Sequence, residues 1–219
     1  MDEIVAFQEF EKIARLNREV IVTEKIDGTN GQVHIRPAEG STLEHGYDCQ
    51  VEIGGVPHYL RAGSRSRWVA HVGNDDNNGF GRWVYQHAHE LAGLGAGAHF
   101  GEWWGSGIQR KYGLTEKRWS LFNVGRWVRD PGEPLRDTFP EGDKRAYAPA
   151  CCHVVPILAT GTGLSVVIEE ALDRLRLDGS AASPGFMKPE GIIAFHSAAR
   201  VLFKVTLERD SEPKNRREE

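Results

Sequence analysis

The sequence predicts an α+β fold in which antiparallel sheets enclose a cleft. Two observations lead to this prediction: apolar β segments flank residue 25 and recur up to the end of the chain, and helical periodicity is limited to residues 4–18, 80–94 and 165–175. No internal repeat or domain linker separates these segments. With 219 residues, 40% of them hydrophobic, the chain can bury one good core, and its length alone allows one domain or two small ones.

The chain begins with a predicted helix and continues into strands. Residues 4–18 place apolar side chains at helical spacing, which predicts an amphipathic helix with Phe7, Phe10, Ile13 and Ala14 on its apolar face. The β-branched run at 20–22 then leads to Lys25, and an alternating segment at 32–35 follows it. These two segments predict strands on either side of the lysine.

Two further segments complete the first half of the chain. Residues 37–58 are rich in glycine and proline around a short run at 49–53, which is typical of a loop and hairpin. Residues 80–94 have helical spacing and run into a glycine-rich stretch at 93–97. This pattern predicts a helix with a C-terminal stop.

The second half is predicted to contain mainly strands, at 98–104, 118–128, 149–158, 191–195 and 201–207. A loop rich in proline, glycine and charge covers 129–147, and the apolar spacing at 165–175 predicts a helix. We expect the charged segment 208–219 to be a frayed tail. The expected organisation is therefore one domain over 1–207 followed by this tail.

Composition limits the class of protein. Three cysteines, one isolated (Cys49) and two adjacent (Cys151 and Cys152), give no disulfide framework, which predicts a reducing compartment. The acidic N-terminus lacks an apolar core followed by a cleavage site, and no run of about 18 apolar residues occurs. These features predict a soluble cytoplasmic protein.

The most informative segment is EKIDGTNG at 24–31, where a lysine flanked by carboxylates runs into a glycine turn. A lysine becomes a nucleophile only when burial or neighbouring cations destabilise its ammonium form. Gly28 and Gly31 would let the backbone approach a bound ligand closely. The alternative is a β-hairpin with an Asp27-Gly28 turn and a solvated Lys25, since that dipeptide is a common hairpin signal.

Four more motifs follow this lysine segment, namely FGEW at 100–103, LFNV at 121–124, PEGII at 189–193 and FKV at 203–205. In this order the five motifs resemble the covalent nucleotidyltransferase superfamily, which holds RNA ligases, DNA ligases and mRNA capping enzymes. They span 24–205, most of the chain. The form of the lysine motif, with GSGIQ at 105–109, is most similar to the phage-type RNA ligase 2 branch.

The resemblance implies a nucleotidyltransferase domain with an ATP cleft. Lys25 would attack the α-phosphorus of ATP, expel pyrophosphate and hold AMP through a phosphoramidate bond. Glu24 and Asn30 match family positions that line the nucleotide site. Asp27 would support the surroundings of the lysine, with a simple turn-former as the alternative.

Two residues on predicted strands match the positions that hold the nucleoside. The glutamate that matches Glu102 accepts hydrogen bonds from the ribose hydroxyls in the family. Phe122 matches the aromatic residue that stacks on the purine. The alternatives are an exposed strand carboxylate for Glu102 and a core position for Phe122.

Two late residues match positions that act on the phosphate. The resemblance implies Mg2+ as a cofactor, with Glu190 holding the water shell of the metal, and it implies that Lys204 contacts the α-phosphate. A lysine within an apolar strand is expected to pair with an anion. Many relatives have lysines at both positions of Lys-x-Lys, whereas this chain has Leu202 at the first.

Arginines supply the predicted contacts to nucleotide or RNA. The SRSR segment at 64–67 resembles the family's Ser-Arg motif, and either Arg65 or Arg67 fits, because both would share a face of a strand. A net charge of −4 does not exclude nucleic acid, because the electrostatic footprint need only be local. We expect RNA to use two clusters, one at Arg61, Arg65 and Arg67 and another at Arg110, Lys111, Lys117 and Arg118. A solvated surface of mixed charge is the alternative for either cluster.

The resemblance thus implies an ATP-dependent RNA ligase that joins 3′-hydroxyl and 5′-phosphate ends of RNA through lysyl-AMP and adenylylated RNA. A protein partner that strengthens RNA binding is compatible with this activity. DNA ligases and capping enzymes normally append an oligonucleotide-binding barrel, and 208–219 is too short for its strands. A noncatalytic RNA- or nucleotide-binding module is the other alternative, and the joint presence of Lys25, Glu102, Glu190 and Lys204 argues against it.

Overall fold

The computed structural model describes residues 7–73, 76–129, 145–208 and 210. One sheet, sheet A, has the strand order β11 (Ile157–Thr162), β1 (Glu19–Lys25), β12 (Gly191–His196) and β13 (Val201–Thr206), and all of its neighbours are antiparallel.

The larger sheet, sheet B, has the order β10 (His153–Val154), β7 (Lys117–Leu121), β6 (Gly97–Gly105), β2 (Thr29–Pro37), β4 (Val56–Gly63) and β3 (Asp48–Ile53). A short strand, β5 (Trp68–Val69), pairs with β4, and only the β10–β7 pair in this sheet is parallel. Two more short strands, β8 (Trp127–Val128) and β9 (Ala146–Tyr147), pair with each other. The predicted α+β fold with antiparallel sheets is confirmed.

Each sheet has its own core. Sheet A packs against α3 (Leu164–Asp178), around Val20, Val22, Leu158, Ala159, Val167, Ala171, Leu172, Leu175, Ile192 and Ala194. Sheet B packs against α1 (Phe80–Gln86), α2 (Ala88–Leu91) and a short 3₁₀ turn (Ala92–Leu94), and that core contains the fully buried Trp103 and Trp119. The alternating burial of β2 follows from this packing, because one of its faces meets the core while the other does not.

A third apolar cluster joins the sheets, formed by Ile26, Trp104, Tyr112 and Val155. The chain passes from sheet A to sheet B between β1 and β2, and it returns between β10 and β11. Both crossings border this cluster. The lysine segment therefore lies at the junction of the two sheets.

Several predicted elements differ from the observed ones. The described part of the predicted N-terminal helix, 7–18, contains no helix, and Phe7, Phe10 and Ile13 are exposed. An amphipathic helix needs a surface against which its apolar face can pack, and these side chains have none. The predicted helix at 80–94 is real but is divided at His87 into α1, α2 and the 3₁₀ turn.

Two predicted strands are interrupted. The segment predicted at 118–128 turns after β7, where the amides of Arg126 and Trp127 donate to the carbonyl of Asn123, and resumes as β8. The segment predicted at 149–158 is split because Pro156 separates β10 from β11, in different sheets. Most of the predicted loop at 129–147 and of the tail at 208–219 lies outside the described residues.

The remaining predicted elements are present. The helix predicted at 165–175 is α3, and the last two predicted strands are β12 and β13. No helix in the described ranges is long and apolar enough to cross a membrane.

Candidate active site

Lys25 is the last residue of β1, and its ammonium group forms an ion pair with Glu190. The β1–β12 register places Lys25 opposite Gly191, so the carboxylate comes from the residue just before β12. Both side chains are largely buried, with 19% of Lys25 and 8% of Glu190 exposed. Only the family resemblance links these two residues in the sequence, and the structure places them in direct contact.

The connection between β1 and β2 is a crossing between sheets, so the hairpin alternative for this segment is wrong. Gly28 is needed here because a Cβ at this position would lie 2.4 Å from the carbonyl oxygen of Trp103 on β6. A Cβ at Gly31 would similarly meet the ring of Phe80 at 2.7 Å. In this structure the two glycines permit close packing within the protein, a different reason from the approach to a ligand that the sequence suggested.

Glu102 projects from β6 towards the lysine segment. Its Oε1 accepts a hydrogen bond from the amide of Gly28 at 3.0 Å, and its Oε2 accepts one from Nδ2 of Asn30 at 3.3 Å. Burial raises the pKa of Glu102 to about 7, against the opposing effects of the Lys25 charge and the Gly28 hydrogen bond. A carboxyl group from sheet B thus lies within electrostatic range of the ammonium group from sheet A.

Asn30 is held on both sides. It lies opposite Glu102 in the β2–β6 register, and its carbonyl accepts a hydrogen bond from Nδ2 of Asn77 at 3.3 Å. Asn77 also accepts a hydrogen bond from Oγ1 of Thr29 and has a positive φ of 51°. Asn77 was not predicted from the sequence, because its segment carries none of the five motifs.

Glu24 lies behind the lysine. Its carboxylate is buried and accepts hydrogen bonds from Oγ of Ser180 at 2.6 Å and from the amide of Ala182 at 2.8 Å. Burial raises the pKa of Glu24 despite these donors. Alternation along β1 puts Glu24 on the face of sheet A opposite to Lys25, so its carboxylate ties the segment after α3 to β1.

Lys204 is brought to the lysine face of sheet A. Lys204 pairs with Ile193 of β12, and Ile193 pairs with Thr23 of β1. Thr23 is two residues before Lys25, so the side chains of Thr23, Lys25 and Lys204 are on the same face of sheet A. Lys204 is exposed. Leu202 shares this face and is 67% exposed, so the position where many relatives have a second lysine points an apolar side chain to solvent.

Phe122 follows β7 directly and is 41% exposed. Its amide donates to the carbonyl of Phe100, whose ring is 53% exposed on the neighbouring strand. Both rings line a cavity of 180 Å³ together with Asn123 and Arg126. Because Phe122 is 41% exposed, it is not a core residue. Phe100 and Glu102 are two residues apart on β6 and therefore share a face.

The arginines of the first predicted cluster have different environments. Arg65 and Arg67 are exposed in the turn between β4 and β5, where the amide of Ser64 donates to the carbonyl of Arg67 at 2.8 Å. They do not lie on a strand, so the argument that both share a strand face does not hold. Nε2 of Gln32 on β2 donates to the carbonyl of Ser64 at 2.7 Å, which places this turn beside β2.

Arg61 is part of an internal ion-pair network. Its guanidinium group donates two hydrogen bonds to Asp48, at 2.8 and 2.7 Å, and Arg36 donates two more at 3.0 and 2.9 Å. Burial alone would raise the pKa of Asp48, but the hydrogen bonds from Arg61 and Arg36 hold it well below its usual range. The structure does not support the expectation that Arg61 contacts RNA, because its donors are directed at Asp48 and Glu44.

The second predicted cluster is also dispersed. Lys117 donates to the carbonyl of Asn78 at 2.6 Å, and Arg118 pairs with Glu116. Arg110 donates from Nε to Oδ2 of Asp27 at 3.1 Å, so it belongs to the lysine site. Three of the four cations in this cluster therefore have partners within the protein.

Asp27 is held by two residues that the sequence analysis did not assign to the site. Besides the bond from Arg110, its amide donates to the hydroxyl of Tyr112 at 2.9 Å. Tyr112 is buried in the cluster that joins the sheets. No local sequence signal identifies this contact, because the two residues are far apart in the chain.

Among the residues that the structure describes, no group of three or more His, Cys, Asp or Glu side chains is arranged to hold a metal ion. Mg2+ often binds through one or two carboxylates together with substrate phosphates and water. Glu190, which pairs with Lys25, and Asp27, two residues after Lys25, fit that limited role. A site that binds the metal without a phosphate does not fit these residues.

A family model described as RNA ligase matches residues 18–214. Three solved structures of Naegleria gruberi RNA ligase are similar to this chain. They are an arginine-to-alanine mutant with ATP and Mn (TM-score 0.49, 18% identity), a lysine-to-alanine mutant with ATP and Mn (TM-score 0.50, 18% identity) and a lysine-to-methionine mutant with AMP and Mn (TM-score 0.49, 17% identity). The matches cover 87% of this chain and 49–50% of the solved chains, so this chain spans about half their length. No curated protein matched the sequence.

Proposed function

Because the chain belongs to the RNA ligase family, we propose that it joins 3′-hydroxyl and 5′-phosphate ends of RNA in an ATP-dependent reaction through lysyl-AMP and adenylylated RNA. The observation that carries this proposal is the placement of Lys25 against Glu190, with Glu102 facing them from the other sheet. Lys25 is 19% exposed, so it is not a solvated surface lysine, and the carboxylate beside it is placed to take the proton that the amine must lose.

The first step is transfer of AMP to the protein. The Lys25 ammonium must lose a proton before its nitrogen can attack, and Glu190, its ion-pair partner, is placed to accept it. The nitrogen then forms a bond to the α-phosphorus, and the bond from that phosphorus to the pyrophosphate oxygen breaks. Pyrophosphate leaves, and AMP remains on Lys25 as a phosphoramidate.

The surrounding residues bind and orient the nucleotide. Glu102, once ionised, accepts hydrogen bonds from the ribose hydroxyls, and Asn30 holds Glu102 in place. The exposed ring of Phe122 stacks on the purine. Lys204, on the same face of sheet A as Lys25, contacts the α-phosphate.

The remaining residues have supporting roles. Glu24 holds the segment after α3 against β1 instead of touching the nucleotide. Arg65 or Arg67 reaches the nucleotide or the RNA end from the turn beside β2. With Leu202 exposed next to it, Lys204 is the cation that this strand supplies.

Two further steps complete sealing. An oxygen of the RNA 5′-phosphate attacks the phosphorus of lysyl-AMP, which releases Lys25 and gives adenylylated RNA. The 3′-hydroxyl of the other RNA end then attacks the 5′-phosphate, a phosphodiester forms, and AMP leaves. Lys204, on the same face of sheet A as Lys25, is the cation that can neutralise the phosphate oxygens in both of these first two steps.

Mg2+ is the proposed metal, and Glu190 is the residue that would hold its water shell. When bound, it would neutralise phosphate oxygens. The similar Naegleria gruberi ligase at TM-score 0.50 was solved with ATP and Mn, and we extend ATP with a divalent cation to this chain as a proposal.

The finer assignments belong to the same proposal. We place the chain in the phage RNA ligase 2-like branch on its lysine motif and on GSGIQ at 105–109. The RNA ends are its partners, together with a second protein that strengthens RNA binding. The free Cys49, Cys151 and Cys152 suit a reducing compartment such as the cytoplasm.

Incubation of the purified protein with ATP labelled at the α-phosphate and Mg2+, followed by a denaturing gel, tests the proposal. We expect a covalent label on the wild type and on Lys12→Ala, a control that removes an exposed lysine outside the site. Lys25→Ala should carry no label, because neither an arginine nor a histidine can replace a positioned amine. A fully labelled Lys25→Ala, or an unlabelled but folded wild type, would contradict the proposal. The second outcome would favour a noncatalytic nucleotide- or RNA-binding module.

A further inference from the structure

The segment from Gly105 to Leu114, here called the bridging loop, has an unusual backbone. Three of its residues other than glycine have positive φ, namely Gln109 at 43°, Lys111 at 59° and Tyr112 at 50°. A side chain makes this conformation costly, and a bulky residue with positive φ is a true outlier. Such conformations persist only where the surrounding structure holds them, and they are common at functional sites.

Packing holds Tyr112 in this conformation. Its ring is buried, with Trp104 at 5.0 Å between centroids and Phe186 at 4.6 Å. Trp104 belongs to β6, and Phe186 belongs to the segment that leads to Glu190. The tyrosine is therefore wedged between sheet B and the polypeptide that carries the partner of Lys25.

The bridging loop binds the lysine segment at two points. The hydroxyl of Tyr112 accepts the amide hydrogen of Asp27 at 2.9 Å. Nε of Arg110 donates to Oδ2 of Asp27 at 3.1 Å. Asp27 is two residues from Lys25, so both bonds restrict the backbone that follows the nucleophile.

The same two residues bind the segment that leads to Glu190. Nη1 of Arg110 donates to the carbonyl of Lys188 at 3.0 Å, and the carbonyl of Tyr112 accepts a hydrogen bond from Oγ of Ser183 at 2.8 Å. Lys188 is two residues before Glu190. Arg110 thus connects one residue on each side of the Lys25–Glu190 ion pair, and it is 28% exposed.

We infer that Arg110 and Tyr112 are positioning residues that hold Lys25 and Glu190 in register for attack. The planar guanidinium group of Arg110 donates to two acceptors in fixed directions, which a lysine cannot reproduce. Small displacements of a nucleophile reduce rate strongly even when binding is kept. The inference rests on the proposed function for its kinetic test and on the contacts alone for its structural test.

The kinetic test is the single-turnover rate of self-adenylylation as a function of ATP concentration, normalised to the amount of protein that can be labelled. Arg110→Ala and Tyr112→Phe should each lower the maximal rate about tenfold or more while the apparent Kd for ATP changes less than about threefold. Arg110→Lys should restore only a small part of the rate. Tyr59→Phe and Arg176→Ala, which alter a tyrosine and an arginine outside the site, should match the wild type.

The matched design separates positioning from general destabilisation. Tyr112→Phe keeps the ring and its packing and removes only the acceptor of the Asp27 amide, so its fold is retained. A loss of stability alone would lower the amount of labelled protein and leave the normalised rate unchanged. An unchanged maximal rate in both variants, full rescue by Arg110→Lys, or a loss confined to ATP affinity would overturn the inference.

Amide hydrogen exchange tests the positioning role of Arg110 without relying on ligase activity. In Arg110→Ala, the segments at 26–28 and 184–190 should both exchange faster than in the wild type, while α3 remains unchanged. Unchanged protection in both segments would overturn the positioning role. If the wild type fails to label with ATP but this exchange pattern is found, the proposed function fails and the positioning role of Arg110 stands.

Discussion

Glu102→Gln should change how the stability of the protein depends on pH. The pKa of Glu102 is about 7 in the folded protein, against an ordinary value of 4.5. Between these values the folded state binds more protons than the unfolded state, so this group makes the free energy of unfolding fall as pH rises from about 4.5 to about 7. The full loss is about 3 kcal/mol, at about 1.4 kcal/mol for each tenfold change in the ionisation constant.

Glutamine keeps most of the local contacts. Its carbonyl can accept the hydrogen bond from the amide of Gly28, and its amide group can pair with Asn30 after the Asn30 side chain turns over. The variant therefore removes the ionisation and little else. We expect it to be more stable than the wild type at pH 8 by about 3 kcal/mol, and close to it at pH 4.5.

Urea unfolding of both proteins between pH 4.5 and pH 8.5 measures this difference. The wild-type free energy of unfolding should approach that of Glu102→Gln as pH falls through about 7 towards 4.5. Nucleotide affinity should follow the opposite course, because only the ionised carboxylate accepts from both ribose hydroxyls, and the wild type should gain affinity through about pH 7. Parallel stability curves for the two proteins would refute the burial argument for Glu102.

Two other predictions follow from the ion-pair network and from the exposed aromatic pair. Asp48→Asn should lower the free energy of unfolding by about 3–5 kcal/mol, because it removes the buried carboxylate shared by Arg61 and Arg36 and leaves Arg61 only the more exposed Glu44. Denaturant titration measures this loss, and the self-adenylylation rate per folded molecule should not change. Phe122→Ala should weaken ATP binding by about tenfold or more in calorimetry, and by more than the neighbouring Phe100→Ala. An unchanged affinity would exclude Phe122 as the purine platform.

Local patterns predicted the parts of the fold that depend on local physics. The strands on either side of Lys25 and the helix α3 follow from periodicity, and α3 buries Ala171, Leu172 and Leu175 as its apolar spacing predicts, although Val167 is buried and Val166 is exposed. The prediction of an N-terminal helix was wrong because local periodicity does not show whether a packing surface is available. The pattern at Phe7, Phe10 and Ile13 is as helical as that of α3, but those side chains are exposed and have no surface to pack against.

The site shows the same limit. Motif order placed Lys25, Glu102 and Glu190 in one site, and the structure brings them together. Motif order could not identify Tyr112, because the hydrogen bond between its hydroxyl and the Asp27 amide connects residues 85 positions apart, and because Tyr112 has a positive φ that the sequence does not predict. Contacts of this kind depend on tertiary structure and leave no spacing in the sequence.

Charge was the least reliable guide. Arginines that are close in sequence suggested two surfaces for RNA, yet Arg61 binds Asp48, Arg110 binds Asp27, and Arg118 binds Glu116. Arg61, which donates to the buried Asp48, has lost much of its capacity to bind phosphate, because its fork of donors is already directed inward. Sequence counts cannot show this, since carboxylates and arginines both occur throughout the chain.

The nucleophile and the proposed ribose acceptor come from different sheets, and the short crossing at 26–28 is what brings them together. Glu102 binds the amide of Gly28, and Gly28 can approach β6 only because it lacks a Cβ. The pKa of Glu102 is raised by burial and lowered by the Lys25 charge, so it depends on the spacing between the sheets. A change that separates them would expose Glu102 to water and also remove the favourable charge of Lys25, and these two effects shift the pKa in opposite directions. Because burial is the larger effect, separation should lower the pKa of Glu102, and titration of this carboxyl would therefore report whether the bridging-loop variants move the sheets apart or only loosen the lysine segment.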